Sequence, residues 1–149
     1  MSTPIRLVIP RRVYEDMVAQ AVKELPNECC GLLAGRVVQD LADPTNGLCL
    51  GEVVERFPLA NEVASPVEYR SERGNFKAQR EIDHRGLHIL SVYHSHPMTD
   101  PVPSRKDLEQ NGWGDKTVHL IISLKAGSAQ VRGWHLLEAE FREADWRIE

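Results

Sequence analysis

The stretch Leu-His-Ile-Leu-Ser-Val-Tyr-His-Ser-His-Pro, residues 87–97, constrains this chain more than any other. Its first eight residues read as a buried strand. Side chains at i and i+2 of a strand share a face, so His94 and His96 point the same way and can converge on one ion. Pro97 stops the strand directly after the second imidazole and places both at a strand end. Beyond it, Met-Thr-Asp-Pro-Val-Pro (98–103) carries two prolines in three residues and excludes helix and strand alike. Ser104 then opens a helix expected to run to about 111, where Gly112 follows.

Asp107 lies one turn into that helix. A carboxylate there completes a His2Asp set with one position left open, which is the arrangement of catalytic zinc; structural zinc takes four protein ligands. Such a zinc lowers the pKa of a water toward neutrality. Spacing alone leaves alternatives. Ser104 followed by Asp107 is equally a capping box, and Asp100 and Asp115 are rival carboxylates. Other zinc signatures are absent: there is no HExxH helix and no HxE with a later PCxxC. A Cys29 or Cys30 nucleophile is disfavoured, because their apolar run raises a thiol's pKa.

The remaining sequence reads as one α/β domain over 1–149, with a mixed sheet and about three helices packed against it. Strands are expected at 4–9, 29–35, 48–57, 87–94, 118–124 and 129–137, with a final edge strand within 139–148. Helices are expected at 11–25 and 71–85, the second closed by Gly86. Asp43-Pro44-Thr45-Asn46-Gly47 marks a turn. A chain of 149 residues can bury a core without staples, and its three cysteines, at 29, 30 and 49, argue against a disulfide framework. The net charge is −4 and no Lys/Arg block stands out, so nucleic acid has no electrostatic support. No stretch supplies the roughly 20 apolar residues of a membrane span, and the N-terminus lacks a signal peptide's apolar region. The expectation is a soluble cytoplasmic protein.

His-Ser-His-Pro, six residues, Ser, two residues, Asp resembles the JAMM motif of the MPN/Mov34 (PAD-1) zinc metallopeptidases. His94, Ser95, His96, Pro97, Ser104 and Asp107 occupy its positions. Pro-Asn-Glu-Cys-Cys-Gly-Leu-Leu-Ala-Gly (26–35) resembles the family's first strand, and Asn61 to Arg70 resembles the N-x-x-x-S-P segment of the compact prokaryotic members. The resemblance spans about Ile9 to Leu137. It implies a curved mixed sheet between helices, related to the deaminase fold. It implies one Zn2+ held by His94, His96 and Asp107. Glu28 would hold the attacking water, take its proton and pass it to the leaving amine, and Ser104 would donate to the oxyanion. The residues alone do not choose Glu28 over Glu24 or Glu52. Ser95, on the opposite strand face, reads as structural, and His84, His88, His119 and His135 as surface or packing residues.

The family cleaves peptide or isopeptide bonds after the C-terminal Gly-Gly of ubiquitin-like proteins. For a chain this short the resemblance implies a peptidase acting on a ubiquitin-like β-grasp sulfur carrier, for example releasing cysteine, with the tail adding to a sheet edge beside the zinc. Two rivals remain: a metallohydrolase of small peptides or amides, and a non-catalytic MPN-type binding module. The sequence does not speak to oligomeric state, and His2Asp accepts other divalent ions too.

Overall fold

A computed structural model describes residues 5–39 and 49–149. In chain order the elements are β1 (Ile5–Ile9), α1 (Arg11–Lys23), β2 (Cys30–Gln39), β3 (Cys49–Leu59), α2 (Glu72–His84), β4 (His88–His96), α3 (Arg105–Glu109), β5 (Val118–Ser123), β6 (Gln130–Leu136), β7 (Phe141–Ala144) and β8 (Trp146–Ile148). The strands form one mixed sheet in the order β7-β6-β5-β4-β2-β3-β1-β8. The expected single edge strand in 139–148 is in fact two. Asp145 breaks it, and the halves pair at opposite ends of the sheet, with β6 and with β1. Because β7 and β8 are joined through one residue, the sheet must curl until its two edges meet. The Asp145 carbonyl accepts the N–H of Leu7 at 3.2 Å at that seam.

Each face of the sheet carries its own core. On one, Val13, Met17 and Ala21 recur at helical spacing on α1 and bury against Leu7, Leu33, Tyr93, Leu120 and Ile122. On the other, Ala78 and Ile82 of α2 pack on Leu32, Phe57 and Val92, while Leu108 of α3 and Val102 cover Ile121, Trp134 and Leu136. Gly31 permits the first arrangement: a Cβ there would meet the Tyr93 ring at 2.2 Å. Gly86 has φ +70° and closes α2, as its place after a polar helix predicts.

β2 and β3 pair antiparallel out to Gln39 opposite Cys49, the register of a hairpin; the expected turn at 43–47 lies outside the described residues. α3 stops at Glu109 rather than near 111. The Asn111 side chain accepts the N–H of Trp113 at 3.0 Å, so a local turn competes with the helix. No helix among the described residues is long and apolar enough to cross a membrane.

Candidate metal centre

β4 alternates as its sequence requires. Ser91, Tyr93 and Ser95 face the α1 core, and Val92, His94 and His96 face α2 and α3. The strand is antiparallel to β2 and parallel to β5, whose pairing runs to His96 opposite Ser123. The ligand strand therefore has no free edge at the histidines, and the expected addition of a substrate strand cannot occur on β4 itself.

α3 brings the carboxylate. Ser104 is its N-cap: the Ser104 hydroxyl accepts the N–H of Asp107 at 3.1 Å, and an Asp107 oxygen accepts the N–H of Ser104 at 2.8 Å. This reciprocal pair fixes the Asp107 rotamer and aims its oxygens at the histidines. The capping and ligand readings of Ser-x-x-Asp are thus both realised. Among the described residues the Ser104 hydroxyl proton has no acceptor, so a donor remains available.

The two imidazoles and the Asp107 carboxylate converge. His94 Nε2 lies 3.1 Å from His96 Nε2 and 3.3 Å from Asp107 Oδ1, and His96 Nε2 lies 3.2 Å from Asp107 Oδ2. A tetrahedral zinc with bonds of about 2.0–2.1 Å separates its ligand atoms by roughly 3.3–3.4 Å. The donor set and its spacing fit one such ion. Among the described residues this is the one His/Cys/Asp/Glu group arranged to hold a metal. Burial pushes the Asp107 carboxyl up, but His94 and the hydrogen bonds from His94, His96 and Ser104 overcome it and hold the group well below the usual carboxylate range.

For His96 the surroundings choose the ligating nitrogen, while His94 Nδ1 is buried with no hydrogen-bond partner. His96 Nδ1 lies 2.9 Å from the Asp100 carbonyl oxygen, to which it donates, leaving the Nε2 lone pair free for a metal. Asp100 thus serves through its backbone, and its carboxylate reaches Lys125 instead. Asp115 is exposed and stands outside the cluster. The His94 ring is stacked by Tyr69, with centroids 4.6 Å apart and planes at 24°.

Glu28 precedes β2 and is 4 % exposed. Burial raises its carboxyl to about 8; His96 opposes the shift and Asp107 adds to it. Its Oε1 is buried without a hydrogen-bond partner. A buried carboxyl with an unsatisfied oxygen and a raised pKa is the environment in which proton-transfer groups are found. The rival acids differ. Glu24 accepts from Gln20 at 2.8 Å and Glu52 is exposed on β3. Cys29 and Cys30 are buried free thiols pushed up to about 12 by burial, as their apolar run implies.

A groove of about 710 Å3 reaches the cluster at Asp107, between the loop bearing Glu68 to Ser71, α2 and the Gln110 to Trp113 turn. Its floor holds His119, 2 % exposed and pushed down to about 4 by burial and the neighbouring His94. Sequence reading left His119 and Tyr69 without roles. The place of His119 on β5 gave a weak hint, since its strand partner Val92 is two residues from His94.

A nearly closed mixed sheet presenting a two-histidine, one-carboxylate group that could hold a metal, beside a buried acid, is the arrangement of the JAB class. The chain belongs to that group: the family described as prokaryotic homologs of the JAB domain matches residues 10–137. A Thermus thermophilus protein named probable TtuB-protein conjugate cleaving protease is 31% identical over 72% of this chain. The chain spans 64% of that protein's own length. The CysO-cysteine peptidase of Mycobacterium tuberculosis is 27% identical over 92% of this chain and 87% of its own. The desampylase of Haloferax volcanii is 33% identical over 87% of this chain and 84% of its own. Among solved structures, a Desulfitobacterium hafniense protein determined in solution superposes with TM-score 0.79 at 27% identity, covering 96% of this chain and 92% of that one.

Proposed function

We propose that this chain is a zinc-dependent peptidase that hydrolyses the amide bond after the C-terminal Gly-Gly of a ubiquitin-like sulfur-carrier protein, whether the leaving amine belongs to a single residue such as cysteine or to a conjugated protein. The observation that carries the chemistry is the convergence of two imidazole nitrogens and both Asp107 carboxylate oxygens, in contacts of 3.1 to 3.3 Å, next to the buried Glu28 carboxyl. The substrate class draws its support from the relatives named for cleaving TtuB-protein conjugates and CysO-cysteine. A cytoplasmic setting agrees with three free cysteines.

His94, His96 and Asp107 would hold one Zn2+. When bound, that ion polarises the scissile carbonyl and makes a water acidic near neutral pH. Glu28 takes a proton from the attacking water and returns it to the leaving nitrogen. Its carboxyl, buried beside the ligands, would be ionised next to the bound cation and so free to accept that proton. Ser104 donates its hydroxyl proton to the oxyanion while its oxygen keeps the helix cap. Tyr69 and the Asp100 carbonyl hold the two imidazole rings in place. Since β4 is paired on both sides, main-chain recognition of the tail falls to the loops flanking the site, 60–71 and 97–104.

The test has two parts. Purified protein should carry or take up one zinc per chain, measured by elemental analysis, and protein that takes up none ends the enzyme reading. A Gly-Gly carrier extended by one residue should then be trimmed by wild type and left intact by Glu28→Gln. Turnover of small peptides with the carrier untouched would replace the carrier by a small amide substrate.

A further inference from the structure

Glu28 stands outside the sheet ladder, so something other than strand pairing must place its carboxyl against the metal ligands. Its own N–H donates to the Ser65 carbonyl at 2.8 Å. The next peptide unit is gripped at both ends. The Cys29 N–H donates to the Ser95 hydroxyl at 2.8 Å, and the Glu28 carbonyl accepts from Asn61 Nδ2 at 3.0 Å.

Asn61 does more than this. Its Nδ2 also donates to the Glu68 carbonyl at 2.9 Å, and its Oδ1 accepts the N–H groups of Arg70 at 3.1 Å and Val63 at 3.3 Å. Both amide hydrogens and both acceptor positions are thereby used. The Glu68 carbonyl and the Arg70 N–H belong to the two peptide units on either side of the Tyr69 Cα. One side chain thus clamps both, and Tyr69 is the residue whose ring stacks on His94. The 60–71 segment has neither helix nor strand to set its shape, so this hub does so.

Resting on the peptidase reading, we propose that Asn61 is a positioning residue that sets Glu28 and His94 relative to each other, through the carbonyl of residue 28 on one side and through Tyr69 on the other. Asn61 touches no reacting atom. It acts by holding the proton carrier and one metal ligand in a common frame, where misplacement by about an ångström can cost roughly 100-fold in rate.

Asn61→Asp keeps the size and the acceptor but replaces the Nδ2 that donates to two carbonyls by an oxygen that faces both. In zinc-loaded protein with wild-type far-UV circular dichroism, kcat on the extended Gly-Gly carrier should fall about 10- to 100-fold with KM changed less than about threefold. Asn61→Ser, which keeps one donor, should fall between Asp and wild type, and it takes the place of Asp if that variant does not fold. Amide exchange read by NMR in the metal-free protein supplies a second measure: the Cys29 N–H should exchange at least about tenfold faster in the variant, and the Tyr69–His94 ring contact should weaken. A kcat within about threefold of wild type, or a loss that disappears on cooling along with any loss of melting temperature, overturns the role. Should wild type not cleave the carrier, the peptidase reading falls, and exchange and ring contact decide Asn61: unchanged values refute it.

Discussion

The hydroxyl of Ser95 accepts the backbone N–H of Cys29 at 2.8 Å, and the Ser95 N–H returns to the Cys29 carbonyl at 3.1 Å. The residue between the two histidines is thereby bonded to the residue after Glu28. The strand of metal ligands and the proposed proton carrier are joined where neither faces solvent. Ser95 is fully buried, and so is Cys29.

Ser95→Ala strips the Cys29 N–H of its acceptor without giving it water in exchange. A buried donor left unpaired costs about 1–3 kcal/mol. Urea unfolding of the metal-free variant should register that loss, and kcat should drop because residue 28 is no longer held from this side. A stability change under about 0.5 kcal/mol would mean that the bond contributes little.

This explains which parts of the site were legible in the sequence. Strand alternation and Pro97 place His94 and His96 on one face at one end, and both conclusions are local. Asp107 is legible as a candidate but inseparable from Asp100 by spacing, because the outcome depends on how a proline-rich loop closes. Only the folded loop reveals that Asp100 offers its carbonyl while Asp107 offers its carboxylate. Glu28 stood out through family resemblance, since burial, which distinguishes it from Glu24 and Glu52, is a property of tertiary structure. Tyr69 and His119 were hard to read for the same reason: the burial that brings each to the site is a property of tertiary structure. The strand order was similarly out of reach, because the separation of β7 from β8 depends on the whole sheet curling.

Ser104 and Asp107 share one capping box, yet their variants should separate. Asp107→Asn keeps an oxygen for the Ser104 N–H but loses the charge facing the histidines. Zinc affinity should fall by about 100-fold or more, and metal-free stability at neutral pH should fall as well, because the charge that His94 and His96 favour is gone. Ser104→Ala loses the cap, about 1 kcal/mol. It should leave zinc affinity within a few-fold of wild type and lower kcat by about 100- to 1000-fold. Competition with a chromogenic chelator and steady-state kinetics measure both. Equal loss of zinc in the two variants would place Ser104 in the metal's support rather than in oxyanion binding.

The raised pKa of Glu28 carries a stability consequence in metal-free protein. The folded state holds this proton up to about 8 and the unfolded chain releases it near 4.5. The contribution is therefore fully present below 4.5 and lost as pH rises to 8, up to about 5 kcal/mol. His96, raised by the Asp107 carboxylate and the Asp100 carbonyl despite its burial, acts in the same direction above its ordinary 6.5. Wild type should be harder to unfold at pH 5.5 than at pH 8, and Glu28→Gln should remove most of that difference. An unchanged slope in the variant would show that Glu28 is ionised in the fold at neutral pH.

His119 gives the opposite slope, and the overlap makes the two separable. Burial and the charges of His94 and His135 outweigh Asp107 and hold its folded pKa near 4, below the ordinary 6.5. Its contribution is intact above 6.5 and is lost as pH falls to 4, because the unfolded chain takes up a proton that the fold refuses, about 3 kcal/mol in all. Between 4.5 and 6.5 stability therefore falls with rising pH through Glu28 and rises with it through His119. Metal-free wild type should be nearly flat there. Glu28→Gln should become acid-sensitive across this window, while His119→Gln should gain stability steadily as the pH is lowered. Urea midpoints at pH 4.5, 5.5 and 6.5 for the three proteins decide it. If His119→Gln tracks wild type at all three, His119 is solvated and takes its proton in the folded state as readily as in the unfolded one.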